Sequence, residues 1–228
     1  MRFYGRVLDF QSRVAEEVGL QADTSVPLLE QMDYVLAAAH IPGLLEVADL
    51  HGSAALANAA KDLRTRGESG WIEILRSPSG DLEQFFSKAC LQPMAENLQV
   101  QYPASTDEAA MLCPVCGSLP QLIILRPEGE GARRSLLCSL CLREWLFRRV
   151  LCPDCSETDK EKLPYYTAAE CRHVRVEACD TCRRYLKSVD LSVDGLAVPL
   201  VDEVALSALD VWAADRGYQK IAKNLVGL

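Results

Sequence analysis

The sequence lacks a hydrophobic run long enough to cross a membrane. Its longest apolar stretches, around Leu36–Leu50 and Leu119–Leu125, are interrupted by His40, Pro42, Gly43, Glu46 and Asp49 or closed by Arg126. A span needs roughly 20 apolar residues in a row. A signal-peptide pattern is missing too, because Asp9 and Gln11 fall where the apolar stretch of a leader belongs. The expected compartment is therefore the cytoplasm, with no membrane partner. The first half also lacks any grouping of residues that looks catalytic.

What is present is ordinary core-forming material and an unusual supply of cysteine. Of 228 residues, 49% are hydrophobic and 25% charged, a balance that can bury a core in one large domain or two ordinary ones. Ten cysteines in a reducing compartment call for an explanation other than disulfides. Eight form four Cys-x-x-Cys pairs: Cys113/Cys116, Cys138/Cys141, Cys152/Cys155 and Cys179/Cys182. Such repetition points to metal binding.

Charge divides along the chain. Residues 1–112 hold 8 basic and 16 acidic side chains, residues 113–188 hold 13 and 10, and residues 189–228 hold 3 and 6. The cysteine-rich segment is thus locally basic between acidic flanks.

The first 105 or so residues read as helices. Ser25 and Pro27 suit a helix start, Leu28, Met32, Val35, Leu36 and Ala39 follow at helical spacing, and Pro42-Gly43 is expected to end that run. Ala54–Arg66 and Asp81–Leu98, the latter with Pro93 inside it, are further helices, and Tyr102–Thr106 reads as a linker. From Leu112 the pattern changes to short strands between cysteine pairs: Leu119–Leu125, Arg133–Leu137 and Trp145–Val150, then Lys162–Thr167, Val174–Ala178 and Tyr185–Val189. The cysteine pairs of the two sets are offset by 39, 39, 41 and 41 residues, the mark of an internal duplication. Val201–Arg216 returns to helix and stops at Gly217.

The fold class expected is α+β. An all-α domain (1–106) precedes two tandem rubredoxin-like or zinc-ribbon units (107–150 and 151–192), and a C-terminal helix (193–228) packs on them.

A Cys-x-x-Cys turn aims two sulfurs at one point, and two such turns complete a tetrahedron at about 2.3 Å per Zn–S bond. The spacers of 21 and 23 residues between paired turns suit a β-hairpin. All eight paired cysteines are therefore candidate ligands for two metal ions, zinc or iron. Cys113-Pro-Val-Cys116-Gly117 fits the turn best, because glycine accepts a positive φ. Leu142, Ser156 and Arg183 hold that place in the other turns, which are looser matches. Sequential pairing of the turns is favoured by the duplicated order, and an interleaved pairing has the same spacing.

Each divalent tetrathiolate carries a net charge of −2, so Arg133, Arg134, Arg143, Arg148, Arg149, Arg183 and Arg184 read as charge balance and packing. With the acidic remainder of the chain, that argues against nucleic acid. Cys90 reads as a buried core thiol, and His40 and His51 as packing or surface residues. Cys171 or His173 could supply a ligand, but four cysteines already saturate each site. Thioredoxin-like chemistry fits four equal pairs poorly. A hydrolytic zinc site needs an open ligand position, so an enzyme is not expected.

Cys113-Pro-Val-Cys116-Gly-Ser-Leu-Pro120, Leu137-Cys-Ser-Leu-Cys141 with Glu144-Trp145, and Arg149-Val-Leu-Cys152-Pro-Asp-Cys155 resemble the formate dehydrogenase accessory protein FdhE family. Glu177-Ala-Cys179-Asp-Thr-Cys182-Arg-Arg-Tyr185-Leu-Lys187 and the tail with Asp210 and Gly217-Tyr218 extend the likeness. The resemblance implies a cytoplasmic, non-catalytic factor that binds the catalytic subunit of a respiratory formate dehydrogenase. It also implies that the eight cysteines hold metal, with iron in a rubredoxin-like state as a possibility beside zinc. A redox protein acting on the same client and a zinc-ribbon nucleic-acid adaptor are the alternatives.

Overall fold

The computed structural model describes residues 2–17, 19, 21–169, 171–225 and 227. They form two compact units, Met1–Tyr102 with Leu225–Gly227, and Pro103–Asn224.

The first unit is α-helical. α1 (Arg2–Glu17) turns Tyr4, Val7, Phe10, Gln11 and Val14 inward, the three-and-four spacing of a single helix face. α2 (Tyr34–His51) starts at Asp33, whose carboxylate accepts the N–H groups of Val35 and Leu36. α3 (Ala54–Arg76) starts at Ser53, and α4 (Gly80–Gln99) follows it. Ile41, Leu44, Leu63, Phe86 and Met94 form part of the fully buried core.

Three helix boundaries differ from expectation. Pro27 leads into a single 3-10 turn, Leu28–Gln31, and Asp33 caps the helix that follows. Pro42-Gly43 does not end α2, because Ile41, Leu44, Leu45 and Ala48 on both sides of it are buried. Their burial outweighs the roughly 3 kcal/mol that an interior proline costs. α3 continues to Arg76 because Gly67, at φ +64°, takes up a kink between two helical runs.

Pro93 lies inside α4, where its missing N–H deprives the Ala89 carbonyl, four residues back, of its helical donor. The side-chain amide of Gln11, on α1, donates to that oxygen at 3.2 Å and to Gln92 Oε1 at 2.9 Å.

The second unit is built on a seven-stranded sheet. β1 (Pro120–Glu128), β2 (Gly131–Cys138) and β3 (Glu144–Leu146) form one antiparallel ribbon. β4 (Tyr165–Thr167), β5 (Val174–Ala178) and β6 (Arg184–Asp190) form the second. The strand order β3-β2-β1-β6-β5-β4 repeats the ribbon by translation. Parallel pairing of β1 with β6, Leu122 with Lys187 through Leu125 with Asp190, fuses the two ribbons. A short β7 (Gln219–Lys220) runs parallel to the start of β6.

The Trp145–Val150 strand is shorter than expected, because the Arg148 N–H turns away to the Glu108 carbonyl. The expected strand Lys162–Thr167 begins with a 3-10 turn at Lys160–Lys162. The expected C-terminal helix is two helices, α5 (Pro199–Ala205) and α6 (Ala208–Asp215). The fully buried Lys187 ammonium donates to the Glu203 and Leu206 carbonyls at the break.

Residues of α5, α6 and their connections cover one face of the sheet. Leu200, Leu206 and Leu209 pack on Leu122, Ile124, Leu137, Val174 and Val189, while Ala213, Trp212 and Tyr218 pack with Val176 and Tyr185. Between these layers lie four buried charges. Lys187 and Lys220 each pair with both Glu203 and Asp210, and the Tyr185 hydroxyl donates to Asp210 at 2.8 Å. Two positive and two negative groups thus balance where neither sign alone is tolerable.

Candidate metal centres

Each Cys-x-x-Cys pair sits on a tight turn at the end of a strand. Cys113 and Cys116 precede β1, Cys138 ends β2, and Cys141 lies in the β2–β3 turn. Cys152 and Cys155 follow β3, and Cys179 and Cys182 join β5 to β6. All four turns share one backbone plan, since the N–H of the first cysteine bonds to the carbonyl five residues on: Cys113 to Ser118, Cys138 to Arg143, Cys152 to Glu157 and Cys179 to Arg184, each at 2.9 Å. The residue after each second cysteine has a positive φ: Gly117 at 71°, Leu142 at 55°, Ser156 at 63° and Arg183 at 60°. The three non-glycine residues are the positive-φ side chains among the described residues. The turns the sequence marked as looser therefore adopt the same conformation, at a steric cost of roughly 1 kcal/mol each.

These turns bring the eight cysteines together in two groups. The sulfurs of Cys113, Cys116, Cys138 and Cys141 lie within 4.8 Å of one another, as do those of Cys152, Cys155, Cys179 and Cys182. This is the sequential pairing, and the interleaved one is not formed. Shortest contacts are 3.4 Å (Cys116–Cys138) and 3.6 Å (Cys113–Cys141) in the first group, and 3.6 Å (Cys155–Cys179) and 3.7 Å (Cys152–Cys182) in the second. A tetrahedron with metal–sulfur bonds of 2.3 Å has an edge of about 3.8 Å, so both donor sets fit one divalent ion each. Backbone N–H groups point at sulfur, from Leu140 to Cys138 at 3.3 Å and from Asp154 to Cys152 at 3.5 Å.

Four sulfurs this close cannot all ionise without a cation. Hydrogen bonding with Cys113 foremost holds the Cys116 thiol down and drives those of Cys138 and Cys141 up. Burial pushes Cys152 up to about 11 and raises Cys182 as well. A divalent ion replaces this sharing of protons with four thiolates.

The two groups differ in exposure. All four cysteines of the first are buried, whereas in the second Cys155 is exposed and Cys182 half-buried. Glu157, which follows the third turn, links it to the fourth by accepting the Thr181 hydroxyl at 2.6 Å. Thr181 foremost, with the Asp159 and Thr158 N–H groups, holds its carboxyl down at about 2.

Of the arginines expected to balance thiolate charge, Arg133 pairs with Glu128, Arg134 with Glu177, Arg183 with Asp180 and Arg184 with Asp154. Arg143 and Arg149 donate to the carbonyls of Pro103 and Ala132. Cys90 is fully buried in α4, where burial drives its thiol up. Cys171 and His173 join neither group, and His173 Nε2 lies 3.4 Å from Asp202 Oδ1. His40 lies 3.7 Å from Glu17, and His51 is exposed. A groove of about 760 Å³ runs beside the second group, lined by Ile123, Leu186, Arg134, Arg175 and Glu177 among others. Sequence reasoning missed Glu157 and Asp180, since carboxylates within or beside a cysteine turn carry no periodicity.

Comparison with known proteins agrees with this geometry. The profile described as the FdhE central domain matches residues 112–149, and that described as the FdhE C-terminal domain matches residues 150–226. Together they cover half of the chain. A "Protein FdhE homolog" of Aquifex aeolicus is 27% identical over the whole chain and 88% of its own length. One from Pseudomonas aeruginosa is 38% identical over 52% of this chain, a match that spans only 40% of that relative. The crystal structure of the FdhE protein from Pseudomonas aeruginosa superimposes with a TM-score of 0.71 at 26% identity, covering 96% of this chain and 85% of that one. The chain belongs to the FdhE family, the formate dehydrogenase accessory proteins that its cysteine segment resembles.

Proposed function

We propose that this chain is a non-catalytic assembly factor that binds the catalytic subunit of a respiratory formate dehydrogenase in the cytoplasm, with one metal ion in each cysteine group. The observation that carries the reading is a pair of closed four-sulfur cages in a member of the FdhE family. Cys113, Cys116, Cys138 and Cys141 would supply every corner of one tetrahedron, and Cys152, Cys155, Cys179 and Cys182 every corner of the other. Neither leaves a position for a nucleophilic water or a substrate. A metal held this way contributes on the order of 10 kcal/mol to folding, so its part here is to fix the surface that meets the client. The charged groups of the neighbouring groove, Arg134 and Arg175 on Glu177, are paired with one another, which suits holding a partner better than moving a proton.

The test is affinity capture of the tagged chain from anaerobically grown cells, with metal analysis of the same sample. The formate dehydrogenase catalytic subunit and two metal ions per chain are expected. A metal-free chain, or capture without that subunit from cells making the enzyme, would overturn the reading.

A second reading, electron transfer to the same client, is favoured by one observation: Cys155 is exposed and Cys182 half-buried, which brings a sulfur of the second group to the surface. Iron there would supply a one-electron couple. Zinc at both sites in anaerobically produced protein removes this reading.

A further inference from the structure

We propose that metal in the second cysteine group latches residues 216–221 onto the sheet, and that through this latch α5 and α6 register whether that centre is filled. The inference rests on reading the groups as metal centres. Its basis is where the tail lands. Tyr218 donates its hydroxyl to Asp180, which lies between Cys179 and Cys182. The Arg183 guanidinium stacks 4.0 Å from the centre of the Tyr218 ring, binds Asp180 at 3.0 Å and donates to the Arg216 carbonyl. The Gln219 N–H bonds to the Arg183 carbonyl at 2.8 Å, and the Ile221 N–H to the Tyr185 carbonyl at 3.1 Å. Arg184 closes the set on Ile221 O at 3.1 Å.

The link to metal is the backbone of Arg183. Its φ of 60° is a conformation an arginine leaves readily. The closed turn is what holds it there, because Cys182 immediately before it is fixed by the ion. Relaxing Arg183 to negative φ swings its carbonyl away from Gln219 and its guanidinium off Tyr218, and both halves of the latch fail together. At the corresponding turn of the first ribbon Leu142 stands in the place of Arg183, and Arg143, in the place of Arg184, reaches Pro103.

The tail is tied onward to the buried charges. Lys220 pairs with Glu203 on α5 and with Asp210 on α6. Withdrawing Lys220 leaves Lys187 to balance the charge of two buried carboxylates, an imbalance that loosens both helices. The exposed Cys155 and half-buried Cys182 make the second centre the one a chelator reaches first.

The full metal-loaded chain should be titrated with a chelator, metals counted by native mass spectrometry and the emptied cysteines mapped by alkylation. Hydrogen exchange is then followed in the one-metal form. The expected result is labelling at Cys155 and Cys182 first, with exchange of 216–221 about tenfold faster, that of α5 and α6 faster with it, and 120–138 unchanged. Tyr218→Phe, which removes the Asp180 hydrogen bond and keeps the ring, should weaken binding of the second metal about fivefold in a competition titration, since coupling is reciprocal. A one-metal form with residues 216–221 still protected, first loss from the buried centre, or unchanged affinity of Tyr218→Phe for the second metal would each overturn the latch while leaving the metal reading intact. A chain that binds no metal overturns both.

Discussion

The four cysteine turns turn on a single residue each, the one after the second cysteine. Only Gly117 occupies a positive φ without steric cost, and a Cβ built there meets nothing within 4 Å, so Gly117→Ala isolates backbone strain. It should destabilise the metal-loaded chain by about 1 kcal/mol. Ser156→Gly runs the other way. Ser156 is exposed, and relief of its strain exceeds the added flexibility of the unfolded chain, for a net gain of about 0.5 kcal/mol. Leu142 differs again, because its side chain packs on the Leu122, Ile124 and Leu137 cluster, and Leu142→Gly should destabilise through lost burial despite the same φ. Denaturant unfolding of the three variants checks the signs. Gain in all three, or loss in all three, would mean that the turn conformation is not the controlling term.

Among elements, the short strands were legible in place, with Trp145–Val150 and Lys162–Thr167 read too long, and the helix interruptions were not. Val174–Ala178 was read from its sequence to the residue, since β-branched residues alternate between two turn signals. Pro42 misled because local propensity carries no account of the buried residues on either side of it. Pro93 shows the compensation: its orphaned acceptor, the Ala89 carbonyl, is served by Gln11 from another helix, a contact that no local pattern encodes. Gln11→Leu should therefore cost about 1–2 kcal/mol, the usual penalty for a buried acceptor left unmet. Pro93→Ala restores the helical N–H at that position, so in its background Gln11→Leu should cost less, the bond to Gln92 being all that is then lost. A double-mutant cycle on thermal unfolding measures this. Additive effects would show that Gln11 acts through Gln92 or through packing and not through the Ala89 oxygen.

For the whole molecule, duplication was visible in the cysteine spacing, but the joining of the copies was not. β1 and β6 each carry a plain apolar run that suits several neighbours, and nothing in it names a parallel partner. That pairing makes the ribbons unequal. β1 is the seam: it closes the first ribbon against β2, which ends in Cys138, and it holds β6 of the second through Leu122–Leu125. Opening the first centre frees the seam and exposes the shared core of Leu122, Ile124 and Val189, so Cys138→Ser should strip metal from both sites. Cys155→Ser removes one exposed corner of the second cage and leaves β1, β2 and β3 closed around a buried centre. Elemental analysis of the full-length variants should find close to no metal in the first and about one ion per chain in the second. About one ion in each would mean that the ribbons fold as independent units, and the shared sheet would then carry none of the coupling assigned to it.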